Sequence, residues 1–200
     1  YEIVEQLTLK GNLGRSFRSP SITERFGSIS NFGVIAGNPD IRAEESIGWD
    51  VSLEKSWGNN SASITWFESD IDDAIVNDFV NPASNAAGKT KVSGLEFGFE
   101  SEIDSWNAGL FVNYTLTQRS VNAIIPEQFV SGGIDFALTD DLGAGITASW
   151  VDQRTLSNGL DDYFLVNLYA NYQVLENVSL HLRAENILDD NYQLADFSGP

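Results

Sequence analysis

The sequence predicts an all-β fold: antiparallel strands of an up-and-down transmembrane β-barrel, about nine of them in these 200 residues and so a fragment of a larger barrel. Three observations predict it. Apolar residues alternate with small or polar ones at a period of two, which places one kind on each face of a strand. Most alternating stretches outrun the roughly five or six residues usual in soluble strands and reach the ~9–11 that a tilted membrane-spanning strand requires. Connections alternate short and long, which sorts tight turns to one end of the sheet and large loops to the other, as in outer-membrane barrels. A soluble sheet with one wet face shares the first pattern but has no reason to share the third.

Along the chain, residues 7–17 read as a first, weakly patterned strand. The second sets Ile47, Trp49, Val51 and Leu53 against Gly48, Asp50, Ser52 and Glu54. A weak third covers 60–76, and a fourth opposes Leu95, Phe97 and Phe99 to Glu96, Gly98 and Glu100. In the fifth, Trp106, Ala108, Leu110, Val112, Tyr114 and Leu116 alternate with Asn107, Gly109, Asn113 and Thr115, and Phe111 breaks the pattern. Residues 130–138 make a weak sixth. The seventh is unbroken, with Leu142, Ala144, Ile146, Ala148 and Trp150 opposed to Gly143, Gly145, Thr147 and Ser149. Phe164, Val166, Leu168, Ala170 and Tyr172 carry the eighth, and Val178, Leu180, Leu182 and Ala184 the ninth, against Ser179, His181, Arg183 and Glu185. Short turns fall at 56–60, 103–105, 139–141 and 175–177; the longer connections are 18–44, 77–89, 118–128, 152–161 and the tail after Asp189. No stretch reads as a helix.

Apolar side chains then face lipid, while Asp50, Glu54, Glu96, Glu100, Asp135, His181, Arg183 and Glu185 face an enclosed, wet interior. Trp57, Trp106 and Tyr172 flank short turns, and Trp49 and Trp150 lie toward the long loops. These five are expected at the two membrane interfaces, which amphipathic rings favour.

Composition narrows the function. With 17 Gly, 12 Phe, 5 Trp and 6 Tyr the chain favours strands and turns. No apolar run approaches the roughly 20 residues of a helical span, which excludes a helical membrane protein. The absence of Cys removes disulfides and thiolate metal sites. A net charge of -18 excludes nucleic acid as a partner, because phosphate binding needs a basic face. The chain starts at Tyr1 without a signal-like segment, as a fragment would.

Four motifs carry a family resemblance. Gly14, Arg15, Ser16, Phe17, Arg18, Ser19 and Pro20 resemble G-x-x-F-R-x-P, and Gly37, Asn38, Pro39, Asp40, Ile41, Glu44 and Ser46 resemble G-N-P-x-L-x-P-E-x-S, with Ala43 in place of Pro. Gly94, Leu95 and Glu96 are similar to G-V-E, and the run from Asn186 through Ile187, Leu188, Asp189, Asp190 and Asn191 to Tyr192 resembles N-L-F-D-x-x-Y. In this order they resemble the C-terminal barrel of TonB-dependent receptors. The resemblance implies that residues 1–200 are the C-terminal part of a larger, plugged barrel in the bacterial outer membrane, without the plug domain and the last strand. It implies active import of a scarce solute such as a ferric siderophore or cobalamin. The partners implied are outer-membrane lipid, the protein's own N-terminal plug, TonB reached through the missing N-terminal segment, and the small solute. Rival readings are a passive or structural outer-membrane barrel and a soluble β-sandwich binding module.

On that reading the solute is met by the long loops, where Phe26, Phe32, Phe79, Arg119 and Arg154 are the candidates: aromatic rings stack on flat or apolar ligands, and Arg attracts an anionic chelate. No cofactor, metal or enzyme is expected. The pairs Asp72-Asp73, Asp140-Asp141, Asp161-Asp162 and Asp189-Asp190 suit turns and lack calcium-loop spacing. His181 is the single histidine, and no nucleophile–base constellation is present.

Overall fold

The computed structural model describes residues 2–30, 33–76, 81–120, 125–152 and 160–193. Its strands are β1 (Glu2–Val4), β2 (Leu7–Arg18), β3 (Ser28–Ser30), β4 (Gly33–Ile35), β5 (Glu44–Trp57), β6 (Asn60–Asp72), β7 (Ile75–Val76), β8 (Ser84–Asn85), β9 (Thr90–Ile103), β10 (Ala108–Arg119), β11 (Gln128–Ala137), β12 (Leu142–Val151), β13 (Tyr163–Leu175) and β14 (Val178–Ala184). One five-residue helix, α1 (Ile22–Phe26), sits in the first long loop. Among the described residues ten strands form one antiparallel sheet in the order β1-β2-β5-β6-β9-β10-β11-β12-β13-β14. Two small ladders, β3 with β4 and β7 with β8, belong to the loops. Once these are set aside, every strand pairs with its chain neighbour, which is up-and-down order.

Register separates the faces. Leu53, Ile64, Phe97, Tyr114, Val130, Trp150 and Phe164 stand in one row from β5 to β13. One residue nearer the short turns, Glu54, Ser63, Gly98, Asn113, Ser131 and Ser149 form a row on the opposite face. The main-sheet strands β2, β5, β6 and β9 to β13, 10 to 14 residues long, meet the spanning length. No second sheet covers the apolar face among the described residues, and Ile64, Trp66 and Phe164 remain 44%, 42% and 42% exposed on it. Such a face cannot be left to water over this area; it needs hydrocarbon against it.

The structure departs from the sequence-based expectation at five places. Helix α1 occupies a stretch expected to be a loop; five residues are too few to show a helical period. The strand expected over 60–76 ends at Asp72, because Asp73 takes a left-handed conformation (φ 54°) and sends Ile75–Val76 into the loop ladder. Trp106 is not a strand residue: a 3-10 turn covers Asp104–Trp106, left-handed Asn107 (φ 46°) closes it, and the ladder starts at Ala108. The sheet also gains β1, a three-residue strand outside the nine expected, paired with β2 at its edge. Finally, the apolar face turns ionic toward the long loops, where Glu68, Asp70 and Lys91 follow Trp66 and Leu95 on the same face. There Lys91 Nζ lies 3.1 Å from Glu68 Oε1 and 3.6 Å from Asp70 Oδ1.

Candidate functional site: the polar face and its long-loop mouth

The polar face is laced by short cross-strand contacts. Lys10 Nζ meets Glu54 Oε2 at 2.6 Å, Asn12 Nδ2 donates to Asp50 Oδ1 at 3.0 Å, and Thr65 Oγ1 donates to Ser52 Oγ at 2.8 Å. His181 Nδ1 and Asn171 Oδ1 are 2.7 Å apart. An exposed ion pair such as Lys10–Glu54 adds little stability, commonly ~0.2–1 kcal/mol. The value of these contacts is that the face remains hydratable, which lipid would not permit.

At the long-loop end the wall carries a built anchor. Arg18, the last residue of β2 and on the polar face, places Nη1 3.2 Å from Glu24 Oε1 and Nε 3.2 Å from Glu44 Oε1. Ser21 caps α1: the Glu24 amide donates to Ser21 Oγ at 3.2 Å and the Ser21 amide donates to Glu24 Oε2 at 2.6 Å. Glu44 Oε2 also accepts from the Ile75 amide at 2.9 Å and so ties in the next loop. Helical spacing puts Ile22 and Phe26 on the side of α1 opposite buried Glu24, and they are 78% and 74% exposed. The sequence held a signal for this helix that periodicity does not detect, the S-x-x-E capping box of Ser21 and Glu24.

The Ser21 N–H first, with Arg18 adding to it against the opposing effect of burial, holds the Glu24 carboxyl below the usual carboxylate range. A carboxylate depressed on folding contributes stability that is full above its unfolded pKa and is lost as pH falls through the folded one. Hydrogen-exchange protection of the α1 amides is therefore expected to be flat near neutrality and to fall in acid below the ordinary glutamate range. In Glu24→Gln it should be lower at neutral pH and lose that acid step.

Other motif residues hold the loops and turns in place. Asn38 Nδ2 donates to Ala83 O at 3.0 Å, and Asn85 holds Arg42 through its amide, with Oδ1 accepting at 2.9 Å and Nδ2 donating at 3.0 Å. Ile41, 2% exposed, and Ala83, 4% exposed, are buried where these two loops meet. Asn186, left-handed at φ 48°, closes the turn after β14 by donating from Nδ2 to Asp190 O at 2.9 Å and accepting from the Asp190 amide at 3.0 Å. Tyr192 ends that motif with its ring centroid 4.9 Å from that of Tyr163.

Of the five solute candidates, Phe26 ends α1, and Arg119 ends β10 on the polar face, its guanidinium donating to Ile125 O. Four strand spacings, roughly 19 Å, separate β2, next to Phe26, from β10, so the structure does not bring the two together. Phe32, Phe79 and Arg154 lie outside the described residues. The paired aspartates serve turns and ion pairs: Asp72 meets Lys89 at 3.2 Å, Asp73 meets Arg42 at 2.6 Å, and Asp190 Oδ2 accepts from the Phe164 amide at 2.8 Å. Among the described residues no group of three His, Cys, Asp or Glu side chains is placed to hold a metal ion.

Comparison with known proteins agrees with this geometry. The family model described as "TonB dependent receptor-like, beta-barrel" matches residues 1–187. The ferrienterobactin receptor of Escherichia coli is 25% identical, over 92% of this chain and 30% of its own length. The vitamin B12 transporter BtuB of Photobacterium profundum is 25% identical, over 96% and 33%. An iron-regulated outer membrane virulence protein of Vibrio cholerae is 24% identical, over 95% and 34%. The chain thus spans about a third of the length of the curated relatives it matches. Among solved structures, the siderophore receptor PirA from Pseudomonas aeruginosa superposes with a TM-score of 0.76 at 22% identity, covering 92% of this chain and 34% of that one. The copper transporter OprC gives 0.77 at 19% identity, covering 94% and 32%. These two show the fold. The chain belongs to the TonB-dependent receptor β-barrel family and is a stretch of outer-membrane barrel wall.

Proposed function

We propose that the intact protein is an outer-membrane active-transport receptor that binds a scarce solute at the long-loop end and imports it, energised through TonB. The observation that carries this is the two-faced sheet, apolar on one side and ionic on the other, in a family whose relatives include receptors named for enterobactin and vitamin B12. The polar face borders the lumen, and the protein's own plug domain, upstream of this wall, fills it. A ferric siderophore or cobalamin is the solute, met at the mouth by Phe26 and Arg119; Phe32, Phe79 and Arg154 keep the same assignment. Trp49 and Trp150 mark the outer membrane interface, and Trp57, Trp106 and Tyr172 the inner one. Trp150 supports this, since its Nε1 reaches Asp162 Oδ2 at 3.4 Å while its ring continues the apolar row.

Full-length receptor expressed in a strain lacking its own receptors is the test, with ferric enterobactin and cyanocobalamin as probes. Accumulation of one probe that stops when TonB is deleted is the expected result. Uptake at an equal rate with and without TonB would make the protein a passive barrel and overturn the proposal.

A further inference from the structure

Three inward-facing rings lie across glycines of a neighbouring strand. On the polar face Phe67 of β6 is paired with Gly94 of β9, Phe111 of β10 with Gly133 of β11, and Tyr169 of β13 with Gly145 of β12. A Cβ at each glycine would come within 2.7 Å of the partner ring's Cε1. Carbon atoms in contact sit at roughly 3.5–4.0 Å, so each ring occupies space that exists only because the side chain opposite is missing. Two features of the sequence that transport leaves unexplained are accounted for here: the apolar Phe111 on a polar face, and Gly145 inside a strand.

The pairs differ in one useful respect. At Gly94 and Gly133 the backbone also crowds, through Leu116 O and Ile146 O, whereas at Gly145 the three nearest atoms all belong to the Tyr169 side chain. Strand side chains ordinarily stand roughly perpendicular to the sheet, so a ring denied its recess projects from the wall.

We propose that these ring–glycine pairs set the clearance between the wall and the plug: each glycine is a recess that keeps an inward ring out of the space the solute crosses. The proposal rests on reading the lumen as a transport path. Its test is the full-length receptor carrying Gly145→Ala, Tyr169→Ala or both. Folded barrel is measured by heat-shifted gel mobility, and uptake by accumulation of ferric enterobactin and cyanocobalamin. Gly145→Ala should assemble yet take up probe several-fold more slowly, while Tyr169→Ala and the double variant transport at the wild-type rate. If Gly145→Ala fails to assemble, a double variant that assembles and transports supports the recess. A double variant that does not assemble would assign the glycine to the backbone and overturn it. Wild-type uptake with unimpaired Gly145→Ala, or a double variant still slow, overturns this proposal alone. A wild-type receptor that accumulates neither probe overturns the transport reading and this inference with it.

Discussion

Ile146→Arg in the full-length receptor is expected to lower the stability of the assembled barrel by roughly 2–4 kcal/mol, because a charged group would then face mid-bilayer hydrocarbon. Ile146 lies in the middle of β12, paired with Ile134 on one side and Leu168 on the other, so no polar neighbour is at hand to accept the guanidinium. Its neighbour Thr147 is the internal control. Thr147 sits between Gly133 and Asn167 on the polar face, and Thr147→Arg should cost well under half as much as its partner variant. Denaturant midpoints of the purified receptor in lipid bilayers measure both. Equal tolerance of the two changes would mean that the faces are wrongly assigned.

The second large effect is expected at Gly94→Val. A side chain there meets the Leu116 carbonyl and the Phe67 ring together, and Leu116 is fixed by its own place in the β9–β10 ladder. Relief requires that ladder to open, so the cost lies at or above the upper end of the ~1–3 kcal/mol usual for overpacking. At Gly143, on the same face, the nearest obstacle is Phe136 O at 3.6 Å, an ordinary contact, and Gly143→Val should be nearly silent. Unfolding midpoints again separate the two. The comparison also gives the glycine of the Gly94-Leu95-Glu96 motif a physical reason: a neighbouring backbone and a ring already fill the place of its side chain.

Most of the wall was legible in the sequence because lipid on one side and water on the other impose a period of two on every spanning strand. Residues 142–150 show it without exception, and the register sets their apolar members against those of 164–172. Where other forces took over, the pattern misled. Through left-handed backbone Asn107 delays the start of β10 and Asp73 ends β6, which a side-chain alternation does not record. Glu68 and Asp70 continue the apolar face of β6 with charge, since the strand outlasts its apolar rows, and this is why 60–76 alternated so weakly. The mouth was legible only in part. The break in alternation over 18–44 read as loop, but the Arg18, Glu24 and Glu44 anchor joins residues distant in sequence, and only the local Ser21 to Glu24 cap was open to a reading of the chain. Arg119 lies on the polar face, as the alternation of β10 places it, but its hydrogen bond to Ile125 O joins it to a loop that the pattern does not record.

Hydrocarbon contact at every second side chain of the wall is the claim beneath the rest, and collision of spin labels with quenchers measures it directly. The chain has no Cys, so single cysteines placed at each position from 142 to 151 of the full-length receptor, once any cysteine outside residues 1–200 is removed, can be labelled one at a time in bilayers. Labels at 142, 144, 146, 148 and 150 should collide with lipid-dissolved oxygen, and those at 143, 145, 147 and 149 with a water-soluble nickel chelate or with neither. Accessibility that does not alternate, or that alternates with the nickel chelate reaching the even positions, would contradict the account.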